Sequence, residues 1–284
     1  MQSSQLLGYF LAFMAAVTWA VAPILYRRGV ERISYSGLGA LRCTGYIISA
    51  ALFLFFAMGP SAFAPLAAGT MARIFVYSVL WLVMGDFFYF SALHKLGVSI
   101  AVPVTSSYPL LVVPASWIFL GEPASPMVFA AAVLIVAGLI LLSPREDNPE
   151  GKRQVFGGLL VSFLAMSCWT FGMITNKVLM QTIPVPQLEW WRAVSVTTGS
   201  WIMFFLLERA RGVANVSRVA MTEMAIAGAL GLTVGNLFLT YSYSLAPVDV
   251  VVCIASIRPF LAALFATLFL RERLTPRLAG GIVL

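Results

Sequence analysis

The chain has 284 residues, 61% of them hydrophobic and only 10% charged, with a mean hydropathy of +0.93 and a formal charge of +7. A water-soluble domain carries roughly 25% charged residues, so this composition excludes a soluble globular protein and predicts an all-α polytopic membrane protein. The excess positive charge is scattered over connections rather than gathered in a basic run, which fits loops beside an anionic membrane surface and provides no nucleic-acid patch.

In chain order, spans are expected at 6–26, 36–58, 73–94, 98–120 and 127–142. Most are about 20 residues long, enough for a hydrocarbon core of about 30 Å, and none shows the alternation of a barrel strand. The first run lacks the charged start and cleavage site of a signal peptide and continues into Trp19 and Pro23, so it reads as a retained span. A polar linker, 143–154 (SPREDNPEGKRQ), separates a first repeat at 1–142 from a second at 155–284. Runs resume at 155–176, 188–207, 219–245, 248–270 and from 277. The last is too short at Leu284 to cross the hydrocarbon, so the tenth helix is expected to be incomplete here and the natural chain to continue.

The two repeats keep one register, offset by 150 residues from Gly85 to Gly235. Gly8 falls on Gly158, Trp19 on Trp169, Arg42 on Arg192, Phe88 on Phe238, Ser106 on Ser256, Pro109 on Pro259 and Glu122 on Glu272. With five spans per copy, the second must enter from the opposite face, which gives two inverted five-helix repeats and ten helices. Most of the 18 Lys and Arg lie in odd-numbered connections, Arg27, Arg28, Lys95 and Arg209 among them, and only Arg73 and Lys177 lie near even ones. That distribution places the odd loops in the cytoplasm and both termini outside.

Cys43, Cys168 and Cys253 sit inside apolar runs without paired spacing, so neither a disulfide framework nor a metal site is expected. His94 is the one histidine and lies at a helix end; with no phosphate loop and no spaced carboxylates, the chain is not expected to be an enzyme or to need a cofactor. Ionisable residues inside spans carry the information, because burying them in lipid is expensive. These are Arg258 beside Pro259, Asp86, Arg42 and Arg192: three arginines with a single deep carboxylate. Unpaired guanidinium in a cavity suits an anionic or zwitterionic substrate. The competing readings are an Arg258–Asp86 ion pair, and snorkelling for Arg42 and Arg192. Asp86 has Asn236 as its repeat copy, which suits proton coupling on one half; a static anchor is the alternative. Trp19, Trp169, Tyr89, Tyr108, Asn236 and Ser256 are the further candidates for cavity lining, and Glu122 and Glu272 for tying loops.

The phrases ALRCTGYIISA, FSALHKLGVS, TSSYPLLVVPASWIFLGE and PMVFAAAVLIVAGLILL resemble the EamA-type branch of the drug/metabolite transporter superfamily. The matching positions are Arg42, Ala92-Leu93, Pro109 and Gly121-Glu122, with Arg192, Pro259 and Arg271-Glu272 in the second half, where Ser242-Tyr243 departs from the Ala-Leu pair. The resemblance implies ten helices around a central cavity and alternating-access transport of a small metabolite, often efflux. It also implies termini in the cytoplasm, opposite to the cation distribution, and leaves orientation open. Combined with the arginines, it leads to the expectation of a single-chain, multi-pass inner-membrane carrier for a small polar anion or zwitterion, such as an amino acid or organic anion, with protons as a coupling ion. A flippase for an anionic lipid or lipid-linked intermediate, and a non-transport receptor or scaffold, are the alternatives.

Overall fold

The structure is a computed structural model; described here are residues 2–30, 33–96, 98–122, 126, 128–130, 133–134, 149–208, 217–261 and 264–265. Among these residues every regular element is helical. In order they are α1 (Gln2–Val30), α2 (Tyr35–Met58), α3 (Ala68–Leu96), α4 (Val98–Ser106), α5 (Pro109–Leu120), α6 (Pro149–Leu179), α7 (Val185–Glu208), α8 (Arg218–Leu245) and α9 (Val248–Ala255). Five stretches are long and apolar enough to cross a membrane: Ser4–Ala22, Ser36–Met58, Ala68–Leu96, Val155–Leu179 and Arg218–Leu245. A shorter apolar helical stretch covers Val104–Leu120. The expected span at 127–142 lies largely, and the one from 277 wholly, outside the described residues, as do Arg271 and Glu272.

Local chemistry sets the helix ends. Ser34 caps α2 and Ser217 caps α8, each hydroxyl accepting a hydrogen bond at 3.2 Å from a backbone N–H three residues on. Helix α2 stops at Gly59, whose φ of 69° is open to glycine, and Pro60 prevents its resumption. Within the polar linker, Pro149–Gln154 is helical and continuous with α6. Glu150, Lys152, Arg153 and Gln154 are sound helix formers, so the drop in hydropathy there marks no change of backbone.

Two departures from α-helix geometry occur in both halves at the 150-residue offset. Helices α3 and α8 open into π-helical stretches, Val79–Met84 and Ala229–Gly235, immediately before the polar positions Asp86 and Asn236. The spans expected at 98–120 and 248–270 are interrupted. Helix α4 ends at Ser106 and α5 begins at Pro109; α9 ends at Ala255, and the chain is helical again at 258–261. Pro109 and Pro259 cannot donate to the ladder, so the preceding turn is free to leave it.

The halves pack by reciprocal contacts. A Cβ built on Gly85 would lie 2.7 Å from the Trp169 ring, and one on Gly235 would lie 2.6 Å from Trp19 Nε1. Likewise Gly158 abuts Leu96 while Gly8 abuts Ala246, its offset copy. Each copy of a residue meets the other half's copy of its partner. Where α2 crosses α8 the approach is backbone to backbone: a Cβ on Gly228 would sit 1.9 Å from the Arg42 carbonyl oxygen. No side-chain rotation relieves that overlap, so Gly228→Ala is expected to lower the melting temperature in detergent by at least the ordinary overpacking cost of about 1–3 kcal/mol. An unchanged melting temperature would mean that α2 and α8 do not meet there.

Large apolar side chains such as Phe56, Phe119, Phe156 and Leu206 are well exposed, a surface that lipid accepts and water does not. Several buried hydroxyls bond back to their own helices, as Thr105 does to the Ala101 carbonyl at 2.7 Å and Ser162 to Gly158 at 2.8 Å. Such residues need no aqueous partner inside the bilayer.

Candidate functional site

The helix breaks and the π-helical stretches converge on a cavity of about 90 Å³ between the halves, room for several waters. Trp19 and Ala22 of α1, Arg42 of α2, Trp81, Leu82, Asp86 and Tyr89 of α3 and Tyr108 of the α4–α5 break form one part of its wall. Trp169 and Met173 of α6, Ala227, Gly231, Leu232 and Asn236 of α8, and Arg258 beside the α9 break form the other.

Arg258 sits just before Pro259, where the interrupted helix turns its side chain into the cavity. Its guanidinium carbon lies 5.2 Å from the Trp169 ring centre, 5.6 Å from Tyr108 and 5.9 Å from Trp19. Its Nε donates to Ser106 Oγ at 3.3 Å. Among the described residues Arg258 joins no ion pair. The aromatic faces stabilise the cation through their quadrupoles without neutralising it. The Trp19 position is itself fixed, because its indole N–H donates to the Gly231 carbonyl at 2.9 Å.

Asp86 does not pair with Arg258 as one reading of the sequence supposed. It is ion-paired and hydrogen-bonded to Arg42, which also lies 5.2 Å from the Phe90 ring centre. Arg42 therefore reaches inward to the cavity rather than outward to the interface. Asn236 is 2% exposed, and its Nδ2 has no hydrogen-bond partner among the described residues. Tyr89 and Tyr108 also face the cavity.

Two expected site residues are elsewhere. Ser256 does not line the cavity; its hydroxyl donates to the Val252 carbonyl at 2.7 Å. Arg192 is fully buried beside it, ion-paired with Glu189 and 3.3 Å from Asn176 Oδ1, 3.4 Å from Tyr46 Oη and 3.5 Å from Thr240 Oγ1. Thr240 in turn donates to Glu189 at 2.7 Å. The guanidinium also lies 5.0 Å from the Trp81 ring centre, so Trp81 separates this sealed network from the cavity.

Glu189 corrects the expectation of a single deep carboxylate, since it is 2% exposed. It stands at the edge of the run 188–207, where a carboxylate draws no attention. The available signal was its spacing, three residues before Arg192 on one helix face. Trp81 was also missed. Its offset copy is Gly231, so the repeat offered no matched aromatic to draw attention to it.

At one end of the bundle Glu122 ties three helices together. Its Oε2 accepts from Val248 N at 2.9 Å at the start of α9, and its Oε1 lies 3.7 Å from Lys177 Nζ. Lys177 donates to the carbonyls of Tyr243 and Ala246 at the end of α8. Burial pushes the Glu122 carboxyl above the usual range, while the Lys177 ammonium and the Val248 N–H pull it back. Its offset copy, Glu272, lies outside the described residues. Among the described residues no three His, Cys, Asp or Glu side chains are grouped to hold a metal ion.

Comparison with known proteins places this geometry in context. The model of the EamA-like transporter family matches residues 6–143 and again 156–284. An uncharacterized transporter from Archaeoglobus fulgidus is 25% identical over 277 residues, covering 98% of this chain and 94% of that protein. A crystal structure of a protein of 22% identity superposes with a TM-score of 0.75 over all of this chain and 93% of the other, a likeness of fold.

Proposed function

The chain belongs to the EamA-like transporter family, and from that premise we propose that it exports a small polar metabolite with a negative group by alternating access. As a multi-pass membrane protein of a transporter family it has a small-molecule substrate and a lipid surround. The observation that carries the finer reading is Arg258: a guanidinium inside a membrane-embedded cavity, held on aromatic faces and joined to no carboxylate in an ion pair among the described residues. Such a charge is expensive to maintain in hydrocarbon unless something anionic comes to it.

In this reading ten helices form two inverted five-helix repeats that rock about the cavity in the inner cell membrane. The matched helix breaks, the matched π-helical stretches and the reciprocal tryptophan–glycine contacts support it. Asp86 is the coupling group, since a proton taken there would release Arg42 to the cavity. Profiling the metabolites of cells with and without the protein, then measuring uptake of the changed compounds by proteoliposomes, tests the proposal. Asp86→Asn is expected to abolish proton-driven accumulation while leaving substrate exchange measurable. If no compound that accumulates in cells lacking the protein carries a negative group, the anionic reading is wrong.

A further inference from the structure

The polar groups of the cavity differ in what they have left to offer, and this bears on the substrate class that the transport reading, on which the inference rests, leaves broad. Among the described residues Asp86 is the one carboxylate lining the cavity, and Arg42 already holds it. A substrate ammonium would have to share it with that guanidinium and meet its repulsion. The other common partner of an ammonium is an aromatic face. Arg258 lies over Trp19, Tyr108 and Trp169, Arg192 lies over Trp81, and the Tyr89 ring packs against Trp169.

Besides the buried Tyr108 hydroxyl, two donors are available instead. One is the Arg258 guanidinium, whose planar fork matches a carboxylate. The other is the Nδ2 of Asn236, a buried residue of the cavity wall, which has no hydrogen-bond partner among the described residues. The lining charges point the same way. Arg42, Asp86 and Arg258 together leave one positive charge. A substrate with one negative charge makes the loaded cavity neutral. A zwitterion leaves it positive and a dianion leaves it negative, and either residue of charge is costly at membrane depth.

We infer that the cavity selects a monocarboxylate lacking an amino group, with its carboxylate on Arg258 and Asn236 and its apolar body against Ala22, Ala227 and Leu232. The class covers aliphatic and arylalkyl carboxylates small enough for the cavity.

The test compares binding to the full-length protein, by thermal shift and calorimetry in detergent, of compounds differing in one group. These are 4-methylpentanoate, leucine and 4-methylpentanamide, with 3-phenylpropionate and phenylalanine as a second skeleton. At least one deaminated acid is expected to bind at least about tenfold more tightly than its amino acid and its amide. Asn236→Asp adds a carboxylate to the wall and is expected to reverse that preference in favour of the amino acid. Equal or tighter binding of the amino acids overturns the inference and leaves an anion-binding transporter standing. Absence of binding by every acid and amino acid overturns both readings. A preference that Asn236→Asp fails to change also overturns the inference, since Asn236 would then not contact the ligand.

Discussion

Arg258→Ala will reduce transport into proteoliposomes by about 100-fold or more at subsaturating substrate. A charge-assisted hydrogen bond is worth about 1.5–3 kcal/mol, and about 2.7 kcal/mol corresponds to 100-fold. Arg258→Lys keeps the charge but not the fork, and should fall between, with a loss of roughly tenfold. The variant is expected to fold. Arg258 is half-buried, joins no ion pair among the described residues and loses aromatic contacts worth about 0.5–2 kcal/mol and one hydrogen bond to Ser106. A monodisperse, thermally stable Arg258→Ala protein with undiminished transport would remove the residue from the substrate site.

The reverse pattern is expected at Arg192. Arg192→Met leaves Glu189 charged and buried, a change that costs about 3–5 kcal/mol. For a chain of this size the melting temperature should fall by roughly 10 °C. Glu189→Gln should also destabilise, because it leaves the guanidinium without its counter-charge. Combining Arg192→Met with Glu189→Leu should recover much of the loss, since a buried pair replaced by apolar groups is often neutral. Whatever protein remains folded should keep its substrate preference, because neither residue lines the cavity. A shift in preference without loss of stability would return Arg192 to the substrate site, where the sequence had placed it.

How far the sequence could be read depended on whether a feature is written locally or made by approach. The duplication was legible because glycine, proline and tryptophan each impose a geometry wherever they stand. Pro109 and Pro259 mark the breaks, and Trp19 and Trp169 press against glycines that follow the same offset. The inward position of Arg258 was legible for a related reason: a charge so far inside a span has little choice but a cavity or a partner. Partner choice was not legible. Arg42 and Arg192 occupy equivalent places, yet one meets Asp86 at the cavity and the other Glu189 in a sealed pocket. That outcome depends on Gly39 standing where the other copy has Glu189, and Asn236 where it has Asp86. The helical backbone of Pro149–Gln154 was not legible either, because hydropathy reports the solvent around a segment and not its backbone.

The tryptophan–glycine contacts have a consequence for how the halves recognise each other. A Cβ on Gly172 would lie 1.8 Å from the Trp81 ring, whereas one on Gly231, the offset copy of Trp81, would meet Ala22 at an ordinary 3.5 Å. One side is filled by an indole and the other is left hollow. Two first halves assembled together would carry two indoles and no Arg258. Two second halves would carry two copies of Arg258, with neither Asp86 nor Tyr108 between them. Expressed as separate polypeptides, the halves should therefore mate with each other and reject their own kind, having drifted since duplication from twins into lock and key.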